Sequence, residues 1–271
     1  MIRSEEQHVI DVLARAGVTA EKIRESTHRT PDLHGSDGTL HYLIEVKLRT
    51  DDETLTKEVQ ERGYAYRKTP VAWTNTTATI FQDAIQQLDA ADDPDAIKLV
   101  WVCARSRRGS EWTVAAQVRH TLYGISRVSG SGRGSNAPEC LFFNESIFFR
   151  YKQLTGVVLD IGTGHALWLN PFNTRSNTLK TSALGMFLQT SVFDPIEAER
   201  NGSFLLADCD IDRHESKRVL EYVSSKYGIE HARRFNVDEH STCAVVREDV
   251  IAELEAEEQA LRDAEKEGHR G

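Results

Sequence analysis

The hydrophobic pattern changes period several times along the chain, and each change predicts an element. SEEQHVIDVLARAG (4–17) sets Val9, Ile10, Leu13 and Ala16 on one side of a helical wheel, which predicts an amphipathic helix. Ser4 and Gln7 stand at capping-box spacing at its start, and Gly17 marks its end. Residues 22–30 are expected to form a strand. From 40 to 49 the period is two: in HYLIEVKL, Ile44, Val46 and Leu48 share one face while Glu45 and Lys47 share the other. TATIFQDAIQQLDAADD (77–93) returns to helical spacing, with Ile80, Phe81, Ala84, Ile85 and Leu88 on one face. AIKLVWVCA (96–104) is a continuous apolar run, as expected of a buried strand.

The second half reads less sharply. Residues 141–172 are rich in strand-forming types, and TGVVLDIGTGHALWL (155–169) predicts a hairpin turning at Gly162-Thr163-Gly164. FLLADCDIDRHESKRVLEYVSSKYGI (204–229) predicts a strand and then a helix, and STCAVV (241–246) a further strand. Residues 247–271 read as an acidic terminal helix, solvated or docking a partner. There is no internal repeat.

The charged face of the strand at 40–49 is where chemistry concentrates. An edge strand with a solvated face would account for Glu45 and Lys47 taken alone. Asp32, however, follows Pro31 and precedes a turn carrying Gly35, Ser36, Asp37 and Gly38, so a hairpin would fold it back beside Glu45. Two carboxylates and an ammonium would then share one small area.

Pro31, Asp32, Glu45, Val46 and Lys47 together resemble the motif of the PD-(D/E)xK nuclease superfamily. The resemblance implies Asp32 and Glu45 as ligands of Mg2+ or Mn2+, Val46 as a ligand through its carbonyl, and Lys47 beside the attacking water. The chemistry suits those residues, because a hard cation takes oxygen ligands and acidifies a bound water. Some members add a glutamate from the first helix, for which Glu5 and Glu6 are available. Glu6, at the edge of the apolar stripe, is preferred as a further metal ligand. Several branches carry a Gln-x-x-x-Tyr helix. Gln60 and Tyr64 have that spacing, although Gly63 weakens a helix there, and 79–90 offers Gln82, Gln86 and Gln87 without a matching tyrosine.

The implied fold is α/β: a restriction-endonuclease-like core, a mixed central sheet flanked by helices, with a C-terminal α+β elaboration. The core is placed at 1–108, the elaboration contacting substrate or partner at 109–246, and the acidic helix at 247–271. The implied function is magnesium-dependent hydrolysis of phosphodiester bonds, in DNA rather than RNA, within restriction or antiviral defence. A protein partner such as a helicase or ATPase subunit fits that setting.

Composition bounds the reading. With 271 residues and 39% hydrophobic content the chain can bury a sizeable core. A net charge of −9 excludes a protein that merely coats nucleic acid, since phosphate binding is driven by Lys and Arg. Locally the balance reverses: residues 103–133 hold Arg105, Arg107, Arg108, Arg119, Arg127 and Arg133 against Glu111, with Trp112 and Tyr123 interleaved. Arg105, Arg107 and Arg108 are the expected nucleic-acid contacts, a solvated charged face being the plainer alternative. SGSGRGSN (129–136) lacks the Lys-Ser/Thr ending of a phosphate-binding loop, and no nucleotide cofactor is expected. Cys103, Cys140, Cys209 and Cys243 lie too far apart for a zinc knuckle and fit reduced thiols. No apolar run is long enough to span a membrane, and the N-terminus lacks a signal-peptide core, so a cytoplasmic protein is expected.

Two other readings compete. VVLDIGTGHA also resembles the glycine-rich first motif of class I methyltransferases, which would imply S-adenosylmethionine. Against it, Ala166 replaces the third glycine, Pro171 would interrupt the following helix, and no acid-ended strand follows at ribose-binding distance. The other is a nuclease-like fold without chemistry that binds nucleic acid or a partner. Asp32, Glu45 and Lys47 count against that reading.

Overall fold

The computed structural model describes residues 2–24, 29–50, 53–70, 74–91, 93–105, 111–131, 137–235 and 240–246. The first half runs α1 (Ser4–Arg15), β1 (Thr19–Lys22), β2 (Leu33–Ser36), β3 (His41–Thr50), α2 (Glu53–Arg62), β4 (Tyr64–Pro70), α3 (Asn75–Asp89) and β5 (Ile97–Arg105). It continues with α4 (Glu111–Tyr123), β6 (Ser126–Ser131), β7 (Glu139–Leu141), α5 (Ile147–Arg150), β8 (Gly156–Asp160) and β9 (His165–Leu169). Then come α6 (Ser176–Thr181), α7 (Ala183–Phe187), β10 (Val192–Phe193), α8 (Pro195–Arg200), β11 (Leu205–Leu206), α9 (Ser216–Tyr227), β12 (Glu230–Phe235) and β13 (His240–Val246).

A mixed sheet ordered β1-β2-β3-β5-β8-β9-β10 forms the centre. β3, β5 and β8 run parallel, while β1, β2 and β9 are antiparallel to their inner neighbours. Parallel strands must be buried on both faces because their crossovers cover them, and the apolar run of β5 meets that need. On one face, Leu43, Val100, Val102 and Leu159 pack with Phe81 and Ile85 of α3. On the other, Ile44, Val46, Trp101 and Val158 pack with Val9 and Leu13 of α1. Full burial of Phe81, Ile85 and Leu88 anchors α3, at roughly 1.5–3 kcal/mol each. This is the mixed α/β sheet flanked by helices that the motif resemblance implied.

The sheet draws strands from both sides of the boundary expected at residue 108, since β8, β9 and β10 complete it. A smaller sheet, β11-β7-β6-β12, packs Val128, Phe143 and Leu205 against Val219 and Val223 of α9. β4 and β13 pair antiparallel. Residues 247–271, read as an acidic helix, lie outside the described residues.

Local details differ from expectation at two places. The N-cap of α1 is Arg3 instead of Ser4, and the residue reaching back to it is Glu6, whose Oε2 accepts the Arg3 backbone N–H at 2.9 Å. The strand sought at 22–30 is instead β1, ending at Lys22; TAEK is too polar to show a period, and its place is set by pairing Thr19 through Lys22 with Ser36 through Leu33. The expected hairpin at 155–169 is formed, β8 turning into β9 with Gly162 at φ 81°. A methyltransferase-type glycine turn must open a helix, whereas an antiparallel strand follows here. Cys103, Cys140 and Cys209 are free thiols. Among the described residues, no helix is long and apolar enough to cross a membrane.

Candidate functional site

The hairpin that joins Asp32 to Glu45 is built by its turn. Asp37 Oδ1 accepts the backbone N–H groups of Thr39 and Leu40, at 3.0 and 2.8 Å. Its Oδ2 accepts the buried Tyr42 hydroxyl at 2.7 Å, and Gly38 takes the left-handed conformation at φ 87°. The turn sets β2 against β3 in the register Leu33↔Ile44 and Gly35↔Tyr42. Asp32, one residue before β2, therefore lies opposite Glu45.

Backbone hydrogen bonds fix the two acids reciprocally. The Asp32 N–H donates to Glu45 Oε2 at 3.2 Å, and the Val46 N–H donates to Asp32 Oδ2 at 2.8 Å. Lys47 Nζ donates to Glu45 Oε1 at 2.7 Å and to Gln87 Oε1 of α3 at 2.9 Å. The Gln87 amide in turn donates to the Thr30 carbonyl at 3.4 Å. Asp32, Glu45, Val46 and Lys47 are thus brought together, and Gln87 is the glutamine that joins them.

A second layer comes from α1 and β1. Arg3 spans Asp32 Oδ1 at 2.9 Å and Glu6 Oε1 at 2.5 Å, and Lys22 Nζ reaches Glu6 Oε2 at 2.9 Å. Glu6 therefore connects to Asp32 through Arg3, with both its oxygens already engaged by cations. Burial raises the Glu6 carboxyl, but hydrogen bonds from the Arg3 backbone, Lys22 and the Arg3 side chain outweigh it and hold the group below its ordinary range.

Glu45 behaves oppositely. Only 1% of it is exposed, and burial, reinforced by the Asp32 charge and opposed by Lys47, pushes its carboxyl up to about 7. Three acids (Glu6, Asp32, Glu45) face three cations (Arg3, Lys22, Lys47), yet Glu45 is the acid whose ionisation is least supported. A positive charge placed between Asp32 and Glu45 would relieve both burial and repulsion. The donors there are all oxygen, which fits a hard divalent cation.

The other predicted residues are not gathered at this point. Gln60 lies in α2 and Tyr64 starts β4, with Gly63 between them at φ 82°, so they do not share a helix. Arg105 makes a paired contact with buried Asp160, NH1 to Oδ1 at 3.1 Å and NH2 to Oδ2 at 2.9 Å. Arg107, Arg108 and Arg133 lie outside the described residues. Among the described residues of the arginine-rich stretch, Tyr123 is fully buried, Trp112 is exposed, and Arg119 pairs with Glu139 at 2.5 Å beside the rings of Phe193 and Phe204. Gln87 was one of three candidate glutamines and was not singled out, because three glutamines on one helix are equivalent until the helix is docked.

No protein-family model matches the chain, and no curated protein matches it. Among solved structures, it is similar to Hjc, a Holliday junction resolvase of Archaeoglobus fulgidus, at 17% identity over 37% of this chain and 67% of that one. The TM-score is 0.23, an overlap too slight to weigh for function.

Proposed function

We propose that the chain is a metal-dependent nuclease that hydrolyses phosphodiester bonds in DNA, with its reacting centre at Asp32, Glu45 and Lys47. The observation that carries this reading is the convergence of Asp32 and Glu45 across the β2–β3 hairpin, with Lys47 Nζ 2.7 Å from Glu45. Asp32, Glu45 and the Val46 carbonyl would hold Mg2+ or Mn2+; when bound, such an ion supplies an acidified water and charge for phosphate oxygens.

The chain's own residues do the rest. An ammonium has three donors, and Lys47 directs two at Glu45 and Gln87. Its third is left for the attacking water or a phosphoryl oxygen. Gln87 positions Lys47, and Arg3 holds Asp32 while Glu6 holds Arg3. Arg107 and Arg108 remain candidates for gripping the substrate backbone, whereas Arg105 is engaged with Asp160. The family resemblance extends this reading to restriction or antiviral defence.

The test is a substrate panel: circular and linear, single- and double-stranded DNA, and RNA, each with Mg2+, Mn2+ or chelator. Metal-dependent cleavage of at least one DNA form is expected. Absence of cleavage across the whole panel would refute the reading.

A further inference from the structure

The sheet face opposite Glu45 carries a second group of ligand-type side chains that the nuclease reading does not use. Glu45 follows Leu43, whose face packs on α3, whereas Asp160 follows Val158 and His165 precedes Leu167, both packed on the α1 side. His8, from α1, closes over them. One ligand atom from each of His8, Asp160 and His165 lies within 4.8 Å of the other two. The three come from α1, β8 and β9, so the fold, and no local motif, assembles them.

We propose that His8, Asp160 and His165 form a binding site for a divalent transition ion of zinc-like softness. Both imidazole Nε2 atoms are buried and neither makes a hydrogen bond. His8 Nε2 approaches Asp160 Oδ2 to 2.7 Å, and His165 Nε2 lies 3.8 Å from the same oxygen. The shorter contact is an ion-pair distance that misses hydrogen-bond geometry. Donors bound about 2.0–2.2 Å from a tetrahedral ion stand roughly 3.3–3.6 Å apart. The two observed separations bracket that spacing, and all three ligand atoms lie within 4.8 Å of one another.

Asp160 is prepared for this role. Its Oδ1 accepts the Gly162 N–H at 2.7 Å and Arg105 NH1 at 3.1 Å, and its Oδ2 accepts Arg105 NH2 at 2.9 Å. Of the roughly four lone-pair positions of a carboxylate, one on Oδ2 is left, facing the histidines. Arg105 offsets the Asp160 charge, so net negative charge does not draw the cation in. Selection falls instead to the two imidazoles, which favour zinc, cobalt or nickel over magnesium. The His8 side chain is 38% exposed, so it is the outermost of the three.

The experiment strips the protein with chelator and titrates Co2+, following the visible absorption that reports tetrahedral nitrogen coordination, with Zn2+ calorimetry in parallel. One equivalent should bind, unaffected by millimolar Mg2+. His8→Ala and His165→Ala should each weaken binding by at least about 100-fold, beyond the 10–100-fold typical of residues that only support a ligand. Asp32→Ala should leave Co2+ binding intact, which separates this site from the Asp32–Glu45 centre. If His165→Ala does not fold by circular dichroism, His8→Asn, at the more exposed position, carries the test. Wild-type Co2+ affinity in the histidine variants, or no stoichiometric binding to the parent, would overturn the proposal. It is independent of whether the protein cleaves DNA.

Discussion

Glu45→Gln should make the metal-free protein more stable above neutral pH, and the structure gives the size of the effect. The Glu45 carboxyl lies near 7 in the fold against an ordinary 4.5, because burial and Asp32 oppose its charge. Below pH 4.5 it is protonated in both folded and unfolded chains and contributes no pH dependence. Between 4.5 and 7 the unfolded chain releases the proton first, so stability falls as pH rises, and above 7 the loss is complete. At about 1.4 kcal/mol for each tenfold difference in proton affinity, the gap corresponds to roughly 3 kcal/mol. Glutamine keeps the shape and an acceptor for Lys47 but gives up a charge-assisted bond and turns its amide nitrogen toward the Asp32 N–H that Glu45 Oε2 accepts, so a net gain of about 1–2 kcal/mol is expected at pH 8. Urea unfolding in chelator, followed by tryptophan fluorescence from pH 4 to 8, measures it. The parent and variant curves should separate progressively between pH 4.5 and 7. Parallel curves, or a parent that gains on the variant in that window, would refute the account of Glu45.

Other perturbations probe different parts of the molecule. Gln87→Ala should lower the turnover of DNA cleavage while leaving substrate affinity within about twofold, because Gln87 orients Lys47 and lies behind it; single-turnover and binding titrations separate the two. Arg105→Ala should cost about 3 kcal/mol of stability in chelator by leaving Asp160 buried and unpaired, while the salt dependence of DNA binding stays unchanged. A flattened salt slope with intact stability would return Arg105 to the nucleic-acid surface. Asn170→Ala should cost about 2–4 kcal/mol in thermal or urea unfolding, since one N–H of the buried Asn170 amide donates to the Leu154 carbonyl, the other is shared between those of Tyr151 and Phe148, and its oxygen accepts the Phe172 N–H. Asn170 directly follows β9, and it ties the loops on either side together.

Where a side chain's neighbours were close in sequence or its element strongly periodic, the sequence was enough to place it. The alternation in HYLIEVKL separated Glu45 and Lys47 from Ile44 and Val46, and the Asp37–Gly38 turn brought Asp32 back to Glu45. The apolar faces of α1 and α3 and the continuous run of β5 were legible for the same reason. β1 was not, because four mostly polar residues have no period and acquire their place only by pairing with β2. The roles of Arg3, Lys22 and Gln87 were hidden for a related reason: each acts across a docking between elements. His8, Asp160 and His165 lay further still from recognition, since neither helical nor strand spacing links residue 8 to residues 160 and 165. Only the packing of α1 over the end of β8 and β9 brings them together.

The most direct measurement is the rate of Mg2+-dependent DNA cleavage by purified parent and Lys47→Ala proteins, compared under single-turnover conditions at matched, saturating enzyme. The Lys47 side chain is partly exposed, and Asp32 and Glu45 keep their mutual backbone hydrogen bonds without it. The account predicts parent cleavage that chelator abolishes, and a Lys47→Ala rate lower by at least about 100-fold in a protein that remains folded by circular dichroism, in line with the 10²–10⁴-fold typical of a group that assists proton transfer. Cleavage by Lys47→Ala at the parent rate would contradict it.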